Sequence, residues 1–427
     1  MLIPETSLWS ATAPPLKSFA HRPLPAKADV VVIGGGYTGV SAALKLAKHG
    51  AAVTLLEGET LGWGASSRNG GQVLVGHKHG VEDLVRQFGK ERARELYQAS
   101  IKTIECVEQI IEEEKIDCDY VRCGYLEAAA KPAHFDSLKR AQEVLERDFG
   151  HTTRALPKAE MKAELGAEFY HGVLVDERSG GLHPAKFING LALAAERAGA
   201  DLHESTPAAS LEKRANGGFT VKTDRGSIEA KEVFVATNGY TGKATPIFQR
   251  RIIPIGSYII ATEPLDSQIS NSLIPNRRVA FDTKNFLHYF RLSPDNRMVF
   301  GGRAAFSPET PNTVRESAEI LRREMIAAFP ELRDTPVAYA WGGTLGFTFD
   351  LYPHAGQMDG LWYAMGYAGH GVAMATFLGQ QMADRIAGRG GYNPFEGMAF
   401  PTMPLYNGKP WFLPLAAVWY RLLDLIS

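Results

Sequence analysis

The sequence predicts an α/β protein in which a parallel-stranded unit alternates along the chain with a lobe of mixed or antiparallel sheet. Three observations carry this. Residues 28–57 read as strand, glycine turn, helix and strand, the length of one βαβ unit. Apolar runs with similar glycine-rich turns return near residues 180–240 and 340–390. Between them, residues 252–305 carry strand-like segments joined by tight turns, the pattern of hairpins.

Residues 1–27 are rich in Pro, Ala and Ser and read as an extended arm. Residues 28–33 form a Val-rich buried strand, 34–39 the turn, 40–50 a helix and 52–56 a second buried strand. Residues 58–80 read as glycine-rich loop, 81–115 as helix, 119–130 as strand, and 133–149 and 158–165 as helices. Pro184 opens a helix that stops at Gly199. Residues 218–223 and 226–230 pair around Asp224-Arg225-Gly226, and 232–237 is again a buried strand. Pro294-Asp295-Asn296 closes another hairpin. Residues 313–328 are helical, 361–365 a strand and 371–387 a helix. The cofactor unit therefore spans 28–80, 170–245 and 340–390, the second lobe 81–169 and 246–339, and a tail 391–427.

Composition limits the function. Hydrophobic residues make up 45% and charged residues 22% of 427, with net charge −1, so no global field favours nucleic acid. The three cysteines, Cys106, Cys118 and Cys123, suit neither a disulfide framework nor a metal site, and a reducing compartment is expected. Neither a signal peptide nor a spanning helix is expected, so the cytoplasm is the default.

Gly34-Gly35-Gly36-Tyr37-Thr38-Gly39 satisfies G-x-G-x-x-G. Gly34 permits the turn, Gly36 admits a pyrophosphate to the backbone, and Gly39 lets helix and strand touch. The helix N-terminus that follows offers free N–H groups to phosphate, and Tyr37 and Thr38 of the turn are counted among the cofactor contacts. Glu57 ends the second strand, where its carboxylate meets ribose hydroxyls and opposes a 2′-phosphate. This fingerprint does not separate FAD from NAD. The loop that follows does: Ala65, Ser66, Ser67, Arg68, Asn69, Gly70, Gly71 and Gln72 suit a phosphate, a ribityl chain and the underside of a flat ring. A third element, Gly366, Gly369, His370, Gly371 and Val372, sets another helix N-terminus at a glycine turn, suited to negative charge on a reduced flavin. FAD is the expected cofactor.

Candidate substrate residues in the second lobe are Tyr258, His288, Tyr289, Arg291 and Arg303; from the cofactor unit, His77 is a candidate to reach the substrate and Trp341 to wall the pocket. Strand alternation puts Tyr289 and Arg291 on one face, where Arg291 is a candidate for binding a carboxylate. His370 is a candidate for a proton role. Residues 409–427 are aromatic and Leu-rich, and after Pro414 they read as an amphipathic helix. That helix either docks on protein or makes peripheral membrane contact.

Taken together, VVVIGGGYTGVSAALKLAKHG, Glu57, GASSRNGGQ, GGLHPAKFINGLA, VFVATNGY and GYAGHGVAMATFLG resemble the D-amino-acid oxidase/sarcosine oxidase superfamily over residues 29–388. The GASSRNGGQ and GHGVA forms resemble its gamma-glutamylputrescine oxidoreductase branch most. The resemblance implies a glutathione-reductase-like FAD domain and a substrate domain whose sheet covers the flavin. It adds Thr237, Asn238 and Gly343 to the cofactor contacts. It further implies oxidation of a C–N bond in a small amine or amino acid by hydride transfer to flavin N5, followed by imine hydrolysis. Relatives that share this FAD unit oxidise C–O bonds, so a 2-hydroxy-acid dehydrogenase is the alternative. Sarcosine oxidases attach FAD through a cysteine, and WGGTLGFTFDLYPHAG has none, so FAD is expected to be non-covalent. They also use a lysine to speed reaction with oxygen, and RMVFGGR has none, which leaves oxygen and another acceptor such as quinone both open.

Overall fold

The structure, a computed structural model, describes residues 5–305 and 312–415, and only the backbone of residues 303–305. Two eight-stranded sheets organise it. In the first, the strands Asp201–His203, Val53–Leu56, Lys27–Ile33, Gly226–Val235 and Leu361–Met365 run parallel in that spatial order. His354–Met358 adds an antiparallel edge, and Ala208–Lys213 and Phe219–Thr223 extend the meander at Gly226–Val235.

Lys27–Ile33 shows why a parallel strand reads as an unbroken apolar run. Val30 and Val32 enter the core beneath the helices, whereas Val31 and Ile33 enter a second cluster with Val221, Ile228 and Val233 on the opposite face. The helices Tyr37–Lys48, Pro184–Arg197 and Gly371–Ile386 cover the first face. Gly226–Val235 unites two segments that the sequence reading kept apart. Its first half pairs with Phe219–Thr223, and its second half runs beside Lys27–Ile33.

The second sheet runs Val337–Phe347, Ile253–Thr262, Met298–Ala305, Tyr289–Leu292, Val279–Asp282, Tyr125–Ala128, Gly172–Asp176 and Arg154–Pro157. It is antiparallel except where Val279–Asp282 meets Tyr125–Ala128. The expected strand over 119–130 is shorter, because Asp119 and Gly124 take positive φ of 52° and 72°. Val279–Asp282, Arg154–Pro157 and Gly172–Asp176 escape the sequence pattern, and so does the 11-residue strand Val337–Phe347. Residues 172–176 and 340–347, grouped with the cofactor unit in sequence, pair within this second sheet.

The N-terminal arm is not simply extended. Ser7 caps the short helix Leu8–Thr12, and Leu8 and Trp9 are buried against Ile259, Val299 and Trp341 of the second sheet. At the other end, Tyr406 and Leu413 pack on Ile253. The expected amphipathic helix, with its membrane contact, falls mostly on 416–427, outside the described residues. No described helix is long and apolar enough to cross a membrane.

Candidate active site

The ends of four parallel strands open into one cavity of about 1470 Å³, larger than the roughly 300–1,000 Å³ typical of a single small ligand. Gly34 follows the first strand, Glu57 the second, Thr237 the strand Gly226–Val235, and Tyr367 the strand Leu361–Met365. The carboxyl end of a parallel sheet is where such folds bind ligands. The far wall is one face of the second sheet, with Tyr125, Glu127, Leu174, Phe281 and Tyr289.

The nucleotide end is a cradle that side chains would fill. Gly34 has φ +110°, and a Cβ there would lie 2.8 Å from the Ala236 carbonyl. The helix Tyr37–Lys48 starts at Gly36 with no side-chain cap and no acid in its first turn. Ser66 Oγ accepts from the Tyr37 N–H at 3.0 Å, and the Thr38 and Gly39 N–H groups have no partner among the described residues. A buried helix end left in this way calls for an anion. Glu57 accepts from the Gly35 N–H at 2.6 Å and the Glu59 N–H at 2.9 Å, which leaves lone pairs on both carboxylate oxygens. Burial raises its pKa.

A second cradle stands beside it, with the Thr38 and Tyr367 hydroxyls hydrogen-bonded at 2.7 Å. The helix Gly371–Ile386 begins at His370, also without side-chain cap or acid. Asn238 Oδ1 fixes the approach by accepting from the Gly366 N–H at 2.9 Å. Burial pulls the His370 pKa down to about 3, so the ring is neutral, and its Nδ1 is buried with no hydrogen-bond partner. This side chain is set to exchange a hydrogen bond with a ligand rather than to carry a charge.

Lining the same cavity, the loop 65–72 is held from outside. Three successive carbonyls, of Ser67, Arg68 and Asn69, accept from Ser7 Oγ at 3.2 Å, Trp341 Nε1 at 2.9 Å and Trp9 Nε1 at 2.8 Å. Asn69 braces the turn from within, donating to the Ala65 and Ser66 carbonyls and accepting from the Gly71 N–H. Gln72 donates to the Ala280 carbonyl and so ties the loop to the second sheet. With its carbonyls drawn outward, the loop leaves the Asn69 and Gly70 N–H groups without a partner among the described residues. The donors, the acid and the unpartnered histidine together fit a dinucleotide with a flat ring.

Most of the residues singled out in sequence line the cavity, Gly343 and Val372 among them. Gly39, Ser67, Gly71 and Gly366 stand behind it as supports. Tyr289 lines it beside Gly70, its hydroxyl 3.2 Å from Ser257 Oγ. Arg291 does not, which corrects the expectation that it binds a substrate carboxylate. Its guanidinium is buried and donates to the Gly71 and Leu182 carbonyls at 2.7 and 2.8 Å. Tyr289 and Arg291 do share a face, but the loop 70–71 and Gly181 close over the arginine. His288 lies between Asp282 and Glu324; burial lowers its pKa, but those two hydrogen bonds outweigh burial and raise it. Tyr258 packs in the second core, and Trp341 buttresses the loop from behind. The Arg303 side chain lies outside the described residues. His77 reaches the cavity but is held by the Leu96 carbonyl.

The sequence reading missed Lys78 and Glu127, both of which line the cavity. Burial raises the Glu127 pKa to about 7, with Lys78 opposing. Burial lowers that of Lys78, with Glu127 opposing. A carboxyl raised in the folded state costs stability once pH passes its unfolded value of 4.5, and the full cost is present above about 7. Glu127→Gln should therefore melt with the parent near pH 4 and gain on the order of 3 kcal/mol over it by about pH 8. Thermal melts across that range test this, and a gap that does not depend on pH would contradict it.

The comparisons agree with this geometry. Residues 29–385 match the family model described as FAD dependent oxidoreductase, the DAO family. The chain is 34% identical to the probable oxidoreductase OrdL of Haemophilus influenzae, over 96% of this chain and 94% of that one. It is 32% identical to the gamma-glutamylputrescine oxidoreductase of Escherichia coli, over 93% and 92% of the two chains. Glycine oxidase from Geobacillus kaustophilus shares the fold at a TM-score of 0.72 and 23% identity, covering 89% of this chain and 99% of that one. The chain belongs to the DAO family of FAD-dependent oxidoreductases. It is a flavoenzyme whose cofactor is FAD.

Proposed function

We propose that the enzyme oxidises the C–N bond of a small amine or amino acid, with a γ-glutamyl amine such as γ-glutamylputrescine as the leading substrate. The observation that carries this reading is the one cavity that joins a nucleotide cradle to a wall of the second sheet, lined there by a carboxyl and near it by an amine, neither with a bonded partner among the described residues. The 32% identity to a gamma-glutamylputrescine oxidoreductase supports the choice of substrate. FAD held here supplies the two-electron acceptor for the hydride leaving the amine-bearing carbon.

The chain's own residues bind, orient and exclude water. The helix starts at Gly36 and His370 and the N–H groups of the loop 65–72 hold the cofactor. Tyr97, Tyr125, Tyr289 and Tyr367 wall the cavity. Burial raises the pKa of all four hydroxyls, so they stay protonated as hydrogen-bond donors. No cysteine lines the cavity, which supports non-covalent FAD. The strand Met298–Ala305 carries no lysine, so the acceptor is oxygen or another oxidant such as a quinone.

Turnover with γ-glutamylputrescine should release ammonia and a carbonyl product in equal amounts. Keto acids formed from 2-hydroxy acids, with no carbonyl product from any amine, would reassign the enzyme to C–O oxidation.

A further inference from the structure

Glu127 sits where a charge serves no structural purpose. On the strand Tyr125–Ala128, Leu126 and Ala128 enter the second core, and Tyr125 and Glu127 face the cavity. Its neighbours across the sheet are Leu174 and Phe281. Phe281 stacks on Tyr125 at 5.3 Å. Among the described residues, the Glu127 side chain makes no hydrogen bond or salt bridge, and Lys78 is the charge that opposes its raised pKa. Lys78, in the loop after Gly76, likewise has no bonded partner and is attracted to Glu127 alone. Like His370, it lines the cavity.

The other enclosed charges of the cavity are engaged. Glu57 holds backbone N–H groups, Arg68 donates to the Trp63 and Gly342 carbonyls, and Asp282 accepts from His288. Both groups line the cavity half-buried and without a bonded partner, and a ligand that pairs with both gives each the partner it lacks. Opposite charges that line one cavity, neither of them bonded, match a ligand with opposite charges on one carbon.

We propose that Lys78 and Glu127 read the α-amino-acid head of the substrate: Lys78 Nζ takes its carboxylate and Glu127 its ammonium. This rests on the amine-oxidation reading and specifies its substrate class as amines that carry a zwitterionic head remote from the reacting nitrogen. Putrescine, which lacks that head, leaves Lys78 unpaired and is the poorer substrate.

The test uses FAD-loaded enzyme and the variants Lys78→Met, Lys78→Arg and Glu127→Gln, each checked for FAD content and melting temperature. L-Glutamine, which has the head but no second amine, is titrated by its perturbation of the flavin spectrum. γ-Glutamylputrescine and putrescine are titrated anaerobically. Lys78→Met and Glu127→Gln should each weaken L-glutamine about tenfold or more, and lower the preference for γ-glutamylputrescine over putrescine as much. The loss should fall on affinity more than on the limiting rate, and Lys78→Arg should recover most of it. Unchanged affinities overturn the proposal. So does an equal loss for all amines, or a fall in limiting rate alone, which marks a proton-transfer role instead. If amines bleach the flavin without regard to either residue, the pair falls and amine oxidation stands. If glutamine binding depends on both residues but no amine bleaches the flavin, the pair stands and the oxidation reading falls. A parent enzyme that binds neither glutamine nor γ-glutamylputrescine defeats both.

Discussion

Gly39→Ala should give a protein that purifies without its yellow colour. A Cβ at this position would lie 1.9 Å from the Gly34 carbonyl oxygen and 3.2 Å from Val32 Cγ1, so backbone rather than a yielding side chain blocks it. Relief requires the helix Tyr37–Lys48 to move away from the strand Lys27–Ile33. The helix Gly371–Ile386 prevents that from behind. Gly379 lies so close that its own Cβ would be 2.4 Å from the Thr38 carbonyl, and Ser41 donates to the Thr376 carbonyl at 2.8 Å. Overpacking of this kind costs roughly 1–3 kcal/mol, and the distortion falls on the N–H groups that meet the pyrophosphate. Gly50→Ala is the control. Its φ is +84°, but nothing lies within 4 Å, so it carries only a backbone penalty of about 1 kcal/mol and keeps FAD. The ratio of visible to protein absorbance in the purified variants decides the matter. Stoichiometric FAD in Gly39→Ala would refute the cradle.

Trp9→Ala should weaken FAD binding at least about tenfold and cost roughly 3–5 kcal/mol of stability, although residue 9 lines no part of the cavity. The indole is 1% exposed and packs edge-on against His183 at 5.0 Å and Trp341 at 6.4 Å. Its Nε1–H holds the Asn69 carbonyl outward, as Trp341 and Ser7 hold those of its neighbours. Freed, that carbonyl can turn inward and set a negative dipole where the loop should donate. Trp9→Phe separates the two effects: it keeps much of the packing and loses the donor. FAD titration with a thermal melt checks both variants. Wild-type FAD affinity in Trp9→Phe would show that the hydrogen bond does not position the loop.

How much of this was legible depended on how local the physics is. The βαβ unit is a contiguous run in which strand, glycine turn, helix and terminal acid each carry a signal, and residues 28–57 fold in that order, with the helix starting at Tyr37, inside the segment read as turn. The second sheet is assembled from short strands far apart in sequence, and glycines blur the alternation of Val337–Phe347. Tyr289 and Arg291 show the same limit. Alternation put them correctly on one face, but the distant segments around Gly71 and Gly181 decide that one side chain meets the cavity and the other meets carbonyls. Trp9 was hidden because an arm rich in Pro and Ala gives no sign of what it docks against. Glu127 did leave a trace, as the one charge in GYLEAAA. An acid inside an apolar strand is a signal worth following. Lys78, in a polar loop, left none.

Anaerobic titration of the FAD-loaded enzyme tests the central claim most directly. One equivalent of γ-glutamylputrescine, or of another small amine, should bleach the visible flavin band without added base or metal, and 2-hydroxy acids should leave it unchanged. A flavin that no amine reduces but a 2-hydroxy acid does would contradict C–N oxidation and leave only the cofactor assignment standing.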